Sequence, residues 1–168
     1  MHLLIDIGNS TVVGAIANDN GEIVATWRFD TIKNQTTDYY IDNLKSGLCA
    51  CGIEPSDIEK TAISSVVPEL NNRFVDAVSK ITGGEPRFFS VIDAERLLDI
   101  DVDFPEQVGK DRLADAIAAA ECYGSPTIII DMGTATTVGI VTAQRKFVGG
   151  MIIPGVKTSH SCLLYTSP

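Results

Sequence analysis

Basic runs are missing from this sequence. Of its 168 residues, 13 are Lys or Arg against 22 Asp or Glu, a formal net charge of −9. Nucleic-acid binding draws its affinity from cations that neutralise phosphates, so this balance argues against a nucleic-acid partner. It does not argue against a nucleotide, because backbone N–H groups and a bound cation can hold phosphate on an acidic protein. Paired metal-ligand spacing is missing too. Cys49, Cys51, Cys122 and Cys162 form no CxxC pair, and only two histidines are present. A buried, reduced, structural role is expected for the cysteines. Long hydrophobic runs are also absent. His2-Leu3-Leu4-Ile5 meets Asp6 before a signal peptide's apolar region could form. No window approaches the length of a membrane span. These absences predict a cytosolic protein with no membrane partner. What remains, 45% hydrophobic and 21% charged residues, is the composition of a globular protein.

Periodicity then predicts the elements. Residues 3–7 and 11–17 read as strands, and Asn18-Asp19-Asn20-Gly21 as a turn suited to positive φ. Residues 22–30 complete an antiparallel meander. A helix is expected over 37–51, with Tyr40, Leu44 and Leu48 on one face. A strand over 60–67 follows, then a helix opened by Pro68, striped by Leu70, Phe74, Val78 and Ile81, and ended by Gly83-Gly84. Residues 86–92 read as a short strand and 106–123 as an Ala-rich helix stopped by Gly124-Ser125-Pro126. Residues 127–131 form an apolar strand ending in an acid, and 138–142 pair with it. Strands alternating with helices after a meander predict an α/β fold with a mixed sheet.

One pattern occurs twice. Leu3-Leu4-Ile5-Asp6-Ile7-Gly8-Asn9 and Ile128-Ile129-Ile130-Asp131-Met132-Gly133-Thr134 both run from apolar strand through Asp and an apolar residue to Gly and a small polar residue. In the first copy, Gly8 allows close backbone approach, and Asn9, Ser10 and Thr11 offer donors suited to phosphate oxygens. Asp6 at the strand end can coordinate a cation. The same residues would also make an ordinary strand-to-hairpin turn with a local Asx bond. The second copy, continuing into Ala135-Thr136-Thr137, favours the phosphate reading: two such turns could grip a polyphosphate, with Asp6 and Asp131 holding cations. The repeat places a boundary between half-domains near 124–126.

A third segment, Gly109-Lys110-Asp111-Arg112, opens the Ala-rich helix. Asp111 falls in the first turn, where the helix dipole favours negative charge. A carboxylate there could take the proton of an attacking hydroxyl. Arg112 could bind a carboxylate bidentately or neutralise transferring phosphoryl charge. The plainer alternative is an N-terminal acid stabilising its helix beside a solvated Arg. The fourth segment, Phe147-Val148-Gly149-Gly150-Met151-Ile152-Ile153-Pro154-Gly155, reads as a strand with a bulge and a sharp turn, able to line a cleft.

Taken in order, the four segments resemble the type III pantothenate kinases, a branch of the acetate-kinase, sugar-kinase, Hsp70 and actin superfamily. The resemblance covers residues 1–158. It implies a duplicated ribonuclease-H-like, actin-like ATPase fold, with a first domain at 1–124 and the start of a second copy at 125–158. It further implies ATP-dependent phosphorylation of pantothenate to 4'-phosphopantothenate, the first committed step toward coenzyme A, by a homodimer. A divalent cation such as Mg2+ and a monovalent one, K+ or NH4+, come with it. By position, Asp6, Ile7, Gly8, Asn9, Ser10, Thr11, Val12 and Val13 would contact ATP, assisted by Thr134. Gly109, Lys110, Asp111 and Arg112 would bind pantothenate, with Asp111 as the base. Asp131 would sit at the monovalent cation and Asp6 at the divalent one.

The sequence departs from the family in three places. Asp101-Val102-Asp103-Phe104-Pro105 stands where family members often have Tyr and Asn-Pro, so no aromatic substrate contact is assigned there. Val138-Gly139 stands where an acid is usual two residues after the double Thr. Residues 159–168 are expected not to continue the family's helix and to be a non-native tail on a truncated chain. An unfinished second copy is expected to expose apolar surface along 127–142, with weak activity and poor solubility. Two alternatives stay open: another phosphotransferase or phosphatase of the superfamily, and a non-catalytic regulatory protein on the same fold.

Overall fold

A computed structural model describes residues 1–166. The chain divides into two compact units, Met1–Phe89 and Ser90–Pro168.

In the first unit, strands β1 (His2–Ile7), β2 (Thr11–Ala17) and β3 (Ile23–Asp30) form the expected antiparallel meander. Helix α1 (Thr37–Ala50) follows, its first turn capped by Thr36 Oγ1, which accepts from the Tyr39 N–H at 3.4 Å. Strand β4 (Lys60–Ser65) returns parallel to β1, as a helical crossover requires. Pro68–Leu70 makes a single 3₁₀ turn before α2 (Asn71–Thr82). That helix ends at Gly83 in the left-handed conformation (φ 74°), where a side chain would be strained. Strand β5 (Arg87–Phe88) completes a five-stranded mixed sheet in the order β3-β2-β1-β4-β5. The alternation Leu3, Ile5, Ile7 turns one face of β1 inward. It packs there with Tyr40, Leu44 and Leu48 of α1 and Phe74, Ala77, Val78 and Ile81 of α2 in one core cluster.

The second unit opens with α3 (Val91–Glu95). A strand is expected over 86–92, but Ser90 Oγ accepts from the Asp93 N–H at 3.2 Å, and Asp93 Oδ2 accepts from the Ser90 N–H at 3.1 Å. That reciprocal cap makes 91–95 helical. The two-residue β6 (Asp99–Ile100) follows. The Ala-rich helix α4 runs Lys110–Tyr123 rather than from 106, because Pro105–Gln107 forms a separate 3₁₀ turn and Val108 is extended. Strands β7 (Thr127–Met132), β8 (Ala135–Val141) and β9 (Lys146–Pro154) form a second antiparallel meander. With β6 parallel to β9, the sheet order is β6-β9-β8-β7. The repeat places its boundary near 124–126. The compact units part at residues 89/90, and α4 falls in the unit that contains the second sheet.

The chain ends in α5 (Val156–Thr166). This corrects the expectation that 159–168 breaks the helix. Residues 156–166 contain neither Pro nor Gly, so the backbone ladder can run through them. Ser159 N–H donates to the Gly155 carbonyl at 2.9 Å. Residues 167–168 of the expected tail lie outside the described residues. The cysteines also differ from expectation: all four are free, Cys51 is half-buried, and Cys49, Cys122 and Cys162 are exposed.

Candidate active site

The first glycine turn is built by its neighbours. Ile7 and Val12 are fully buried in the core, so any contact they make with a phosphate is through their backbones. Gly8 N–H donates to the Thr11 carbonyl at 3.1 Å, closing a turn whose tip is Asn9 and Ser10. Thr31, just beyond β3, holds the other side. Its Oγ1 donates to the Gly8 carbonyl at 2.7 Å, and its N–H donates to the Ser10 carbonyl at 3.0 Å. With those acceptors occupied, the Asn9 N–H has no partner among the described residues. An exposed turn with engaged carbonyls and a free donor suits an anion. Asp6 stands exposed at the end of β1, and Thr11 and Val13 are half-buried. Sequence reasoning missed Thr31, which lies in no motif; pairing of β2 with β3 brings it to the turn.

The second turn is tighter. Gly133 N–H donates to the Ala135 carbonyl at 3.0 Å, leaving Thr134 at the tip. The Thr134 carbonyl accepts from Gly155 N–H at 3.2 Å and from Thr158 Oγ1 at 3.1 Å. A Cβ on Gly155 would collide with the carbonyls of Gly133 and Thr134, so only glycine lets the end of β9 lie against this turn. The fourth sequence segment thus closes on the second glycine turn. Asp131 and Thr134 are exposed.

At the start of α4, Asp111 Oδ1 accepts from the Arg112 N–H at 2.8 Å, turning the carboxylate back over the helix end. Gly109 leaves the space for it, since a Cβ there would collide with Asp111 Oδ1. Asp111 Oδ2 has no partner among the described residues. Arg112 is half-buried. Its Nη2 donates to the Val138 carbonyl at 3.0 Å, and its guanidinium carbon lies 5.9 Å from the centre of the Phe147 ring. Its Nε is buried without a hydrogen-bond partner. Among the described residues no carboxylate pairs with Arg112 or with Lys110. A half-buried cation without a carboxylate partner is costly to desolvate.

A family profile described as type III pantothenate kinase matches residues 2–167. The chain belongs to that family. The match runs through most of the stretch expected to be foreign to it. The type III pantothenate kinase of Finegoldia magna is 36% identical over 163 residues, covering 96% of this chain and 61% of the relative. That of Desulforapulum autotrophicum is likewise 36% identical over 163 residues, covering 97% and 62%. The chain therefore spans about 61% of the length of the curated relatives it matches. Among solved structures, the activator of 2-hydroxyisocaproyl-CoA dehydratase from Clostridium difficile, with bound ADPNP, aligns at a TM-score of 0.54 and 14% identity, covering 91% of this chain and 45% of that one. The ethanolamine utilization protein EutJ from Carboxydothermus hydrogenoformans aligns at 0.53 and 16%, covering 99% and 57%. These likenesses show the fold, α/β with mixed sheets.

Proposed function

We propose that this chain carries the phosphate-holding turns and the acceptor site of an ATP-dependent kinase that converts pantothenate to 4'-phosphopantothenate, the first step toward coenzyme A. The observation that carries the reading is Arg112, a half-buried guanidinium with no carboxylate partner among the described residues, next in sequence to the helix-start carboxylate of Asp111. Pantothenate offers the complementary groups, a carboxylate and a primary hydroxyl.

In this reading Arg112 binds the acceptor's carboxylate, with Lys110 and the Gly109 backbone beside it. Asp111 Oδ2 takes the proton as the hydroxyl oxygen attacks the γ-phosphorus of ATP. The new O–P bond forms as the bond to the β-phosphate bridging oxygen breaks, and ADP leaves. The first turn, Asp6 to Val13, holds the phosphates through backbone donors, and Thr134 assists from the second. No cluster of three or more His, Cys, Asp or Glu able to hold a metal exists among the described residues. This donor set fits a Mg2+ that arrives with the nucleotide, with Asp6 as its single protein carboxylate, since Mg2+ keeps waters and phosphate oxygens as ligands. Bound there, it would neutralise charge on the transferring phosphoryl group. Asp131 is the candidate for a K+ or NH4+ site. Location in the cytoplasm accords with the finding that no helix among the described residues is long and apolar enough to cross a membrane. A homodimer follows from the family resemblance alone, and a second half-domain beginning near residue 125 follows from the repeated Asp-x-Gly pattern together with that resemblance.

An ADP-release assay on the full-length gene product tests this. Release that depends on both ATP and pantothenate, and is abolished by Asp111→Asn, is expected. No pantothenate-dependent release would sink the assignment, and undiminished activity of Asp111→Asn would remove Asp111 as the base.

A further inference from the structure

We propose that Phe147 is a positioning residue for Arg112, holding the guanidinium by its ring face so that the charge stays available to an anionic acceptor. The inference rests on the acceptor site proposed above and deepens it. Phe147, on β9, is fully buried. Its ring stands in space left by Gly139 on β8, where a Cβ would come within 3.3 Å of Cε2. The Arg112 guanidinium carbon lies 5.9 Å from the ring centre, and Nη2 is fixed by the Val138 carbonyl at 3.0 Å. Gly150 completes the seat. A Cβ there would lie 3.2 Å from Nη2 and collide with the Val138 carbonyl, closing the space the guanidinium uses.

The choice of a ring matters chemically. A carboxylate would fix an arginine equally well but would neutralise it. An aromatic face attracts the cation through its quadrupole and leaves the net charge intact. The planar guanidinium keeps its remaining donors in a fixed fork able to meet a carboxylate. The ring, the carbonyl and the two missing side chains therefore orient one charge without cancelling it.

Two measurements on the full-length gene product test the seat. In 15N–1H spectra, the Nε–Hε signal of Arg112, assigned by its loss in Arg112→Lys, is expected to be displaced by the ring current. Phe147→Leu should abolish the displacement and Phe147→Tyr should keep it. A wild-type signal at the position of a solvent-exposed arginine would overturn the proposal. In kinetics, Phe147→Leu should raise the KM for pantothenate by roughly 3- to 10-fold, with the KM for ATP and kcat little changed, and Phe147→Tyr should restore it. In an Arg112→Gln background, the same Leu substitution should have no further effect on pantothenate kcat/KM. An equal effect in both backgrounds, or an equal rise in the KM for ATP, would mean that Phe147 acts on the fold alone. Should Phe147→Leu fail to fold, Gly139→Ala, which displaces the ring slightly, should move the Arg112 signal and the pantothenate KM in the same directions. Absence of pantothenate turnover in the wild type would sink the acceptor assignment, and the ring-current measurement would still decide the seat.

Discussion

In the first unit, β1 turns Leu3, Ile5 and Ile7 into a core closed by α1 and α2, and all three are buried. Its counterpart β7 opens the second meander with the same Asp-x-Gly ending, yet leaves Ile128, Ile130 and Met132 between 63% and 69% exposed. Strand register aligns these with Val138 and Ile140 of β8 and with Met151 and Ile153 of β9 on one sheet face, and Ile140, Met151 and Ile153 are exposed as well. Leu113, Ala116 and Ala120 of α4 are buried, as are Val141 and Phe147 of the sheet. The apolar exposure expected along 127–142 is present. The comparison teaches that an identical turn motif fixes a local hairpin but not the environment of its strands. Alternation in β1 (Leu3, Ile5, Ile7 in; Asp6 out) specifies one core face. The unbroken Ile128-Ile129-Ile130 specifies two, and only one faces inward here.

The largest effect that would sharpen this contrast is chemical. Asp111→Asn, in the second unit, should lower kcat for pantothenate phosphorylation by about 10²–10⁴-fold with the thermal midpoint preserved. Asp6→Asn, in the first, should act chiefly on the KM for ATP. If the Asp111 change moved only the KM for pantothenate, the assignment of chemistry to one unit and nucleotide to the other would fail. Next comes packing. Phe74 is fully buried, its ring 4.7 Å from that of Tyr40, so Phe74→Ala should cost about 3–5 kcal/mol in urea unfolding. Ile130→Ala on the exposed face should stay within about 0.5 kcal/mol. A comparable loss at Ile130 would show that this face is covered in solution.

A smaller effect is expected at the end of α2, where Gly83→Ala must force a side chain into the left-handed region, costing about 1 kcal/mol by the same measurement. The smallest is electrostatic. Lys33 Nζ donates to Glu69 Oε1 at 2.7 Å, and this bond, with the attraction of the ammonium charge, lowers the Glu69 pKa below its ordinary value of 4.5. A depressed folded-state pKa adds stability above the unfolded value and loses it as pH falls through the folded one. Lys33→Met should therefore reduce the unfolding midpoint slightly at pH 6 and leave it unchanged near pH 2. Both partners are about half exposed, so added salt should shrink the difference. A difference that grew on acidification would refute the ion pair.

The meander, α1, β4, α2 and the two glycine turns were legible because each is local. Tyr40-Leu44-Leu48 repeats at helical spacing, Gly83 marks a helix end, and Asp-x-Gly marks a strand end whatever surrounds it. The Asp111 carboxylate was likewise expected near a helix start, although the helix expected from 106 begins only at Lys110 after the Gly109 cap. The buried cysteines, the far end of the strand expected over 86–92 (realised only at Arg87–Phe88) and the broken final helix failed for matching reasons. Cys49 and Cys51 lie on or just past the end of α1, where the face that packs is set by Leu44 and Leu48. A reciprocal Ser90–Asp93 cap outweighed the strand propensity of Val91 and Ile92. The residues after Gly155, with no Pro or Gly through 166, were free to continue a helix.

The amino-acid order alone determined the hairpins, the helix starts and the residue types at each turn, because backbone preference and side-chain period act over a few residues. Only the tertiary structure decided that Thr31 clamps the first turn, that Gly155 lies on the second, and that Phe147 comes beneath Arg112 from 35 positions away. Those contacts arise where strands distant in sequence are brought into register, and no local pattern encodes which side chain will stand opposite which.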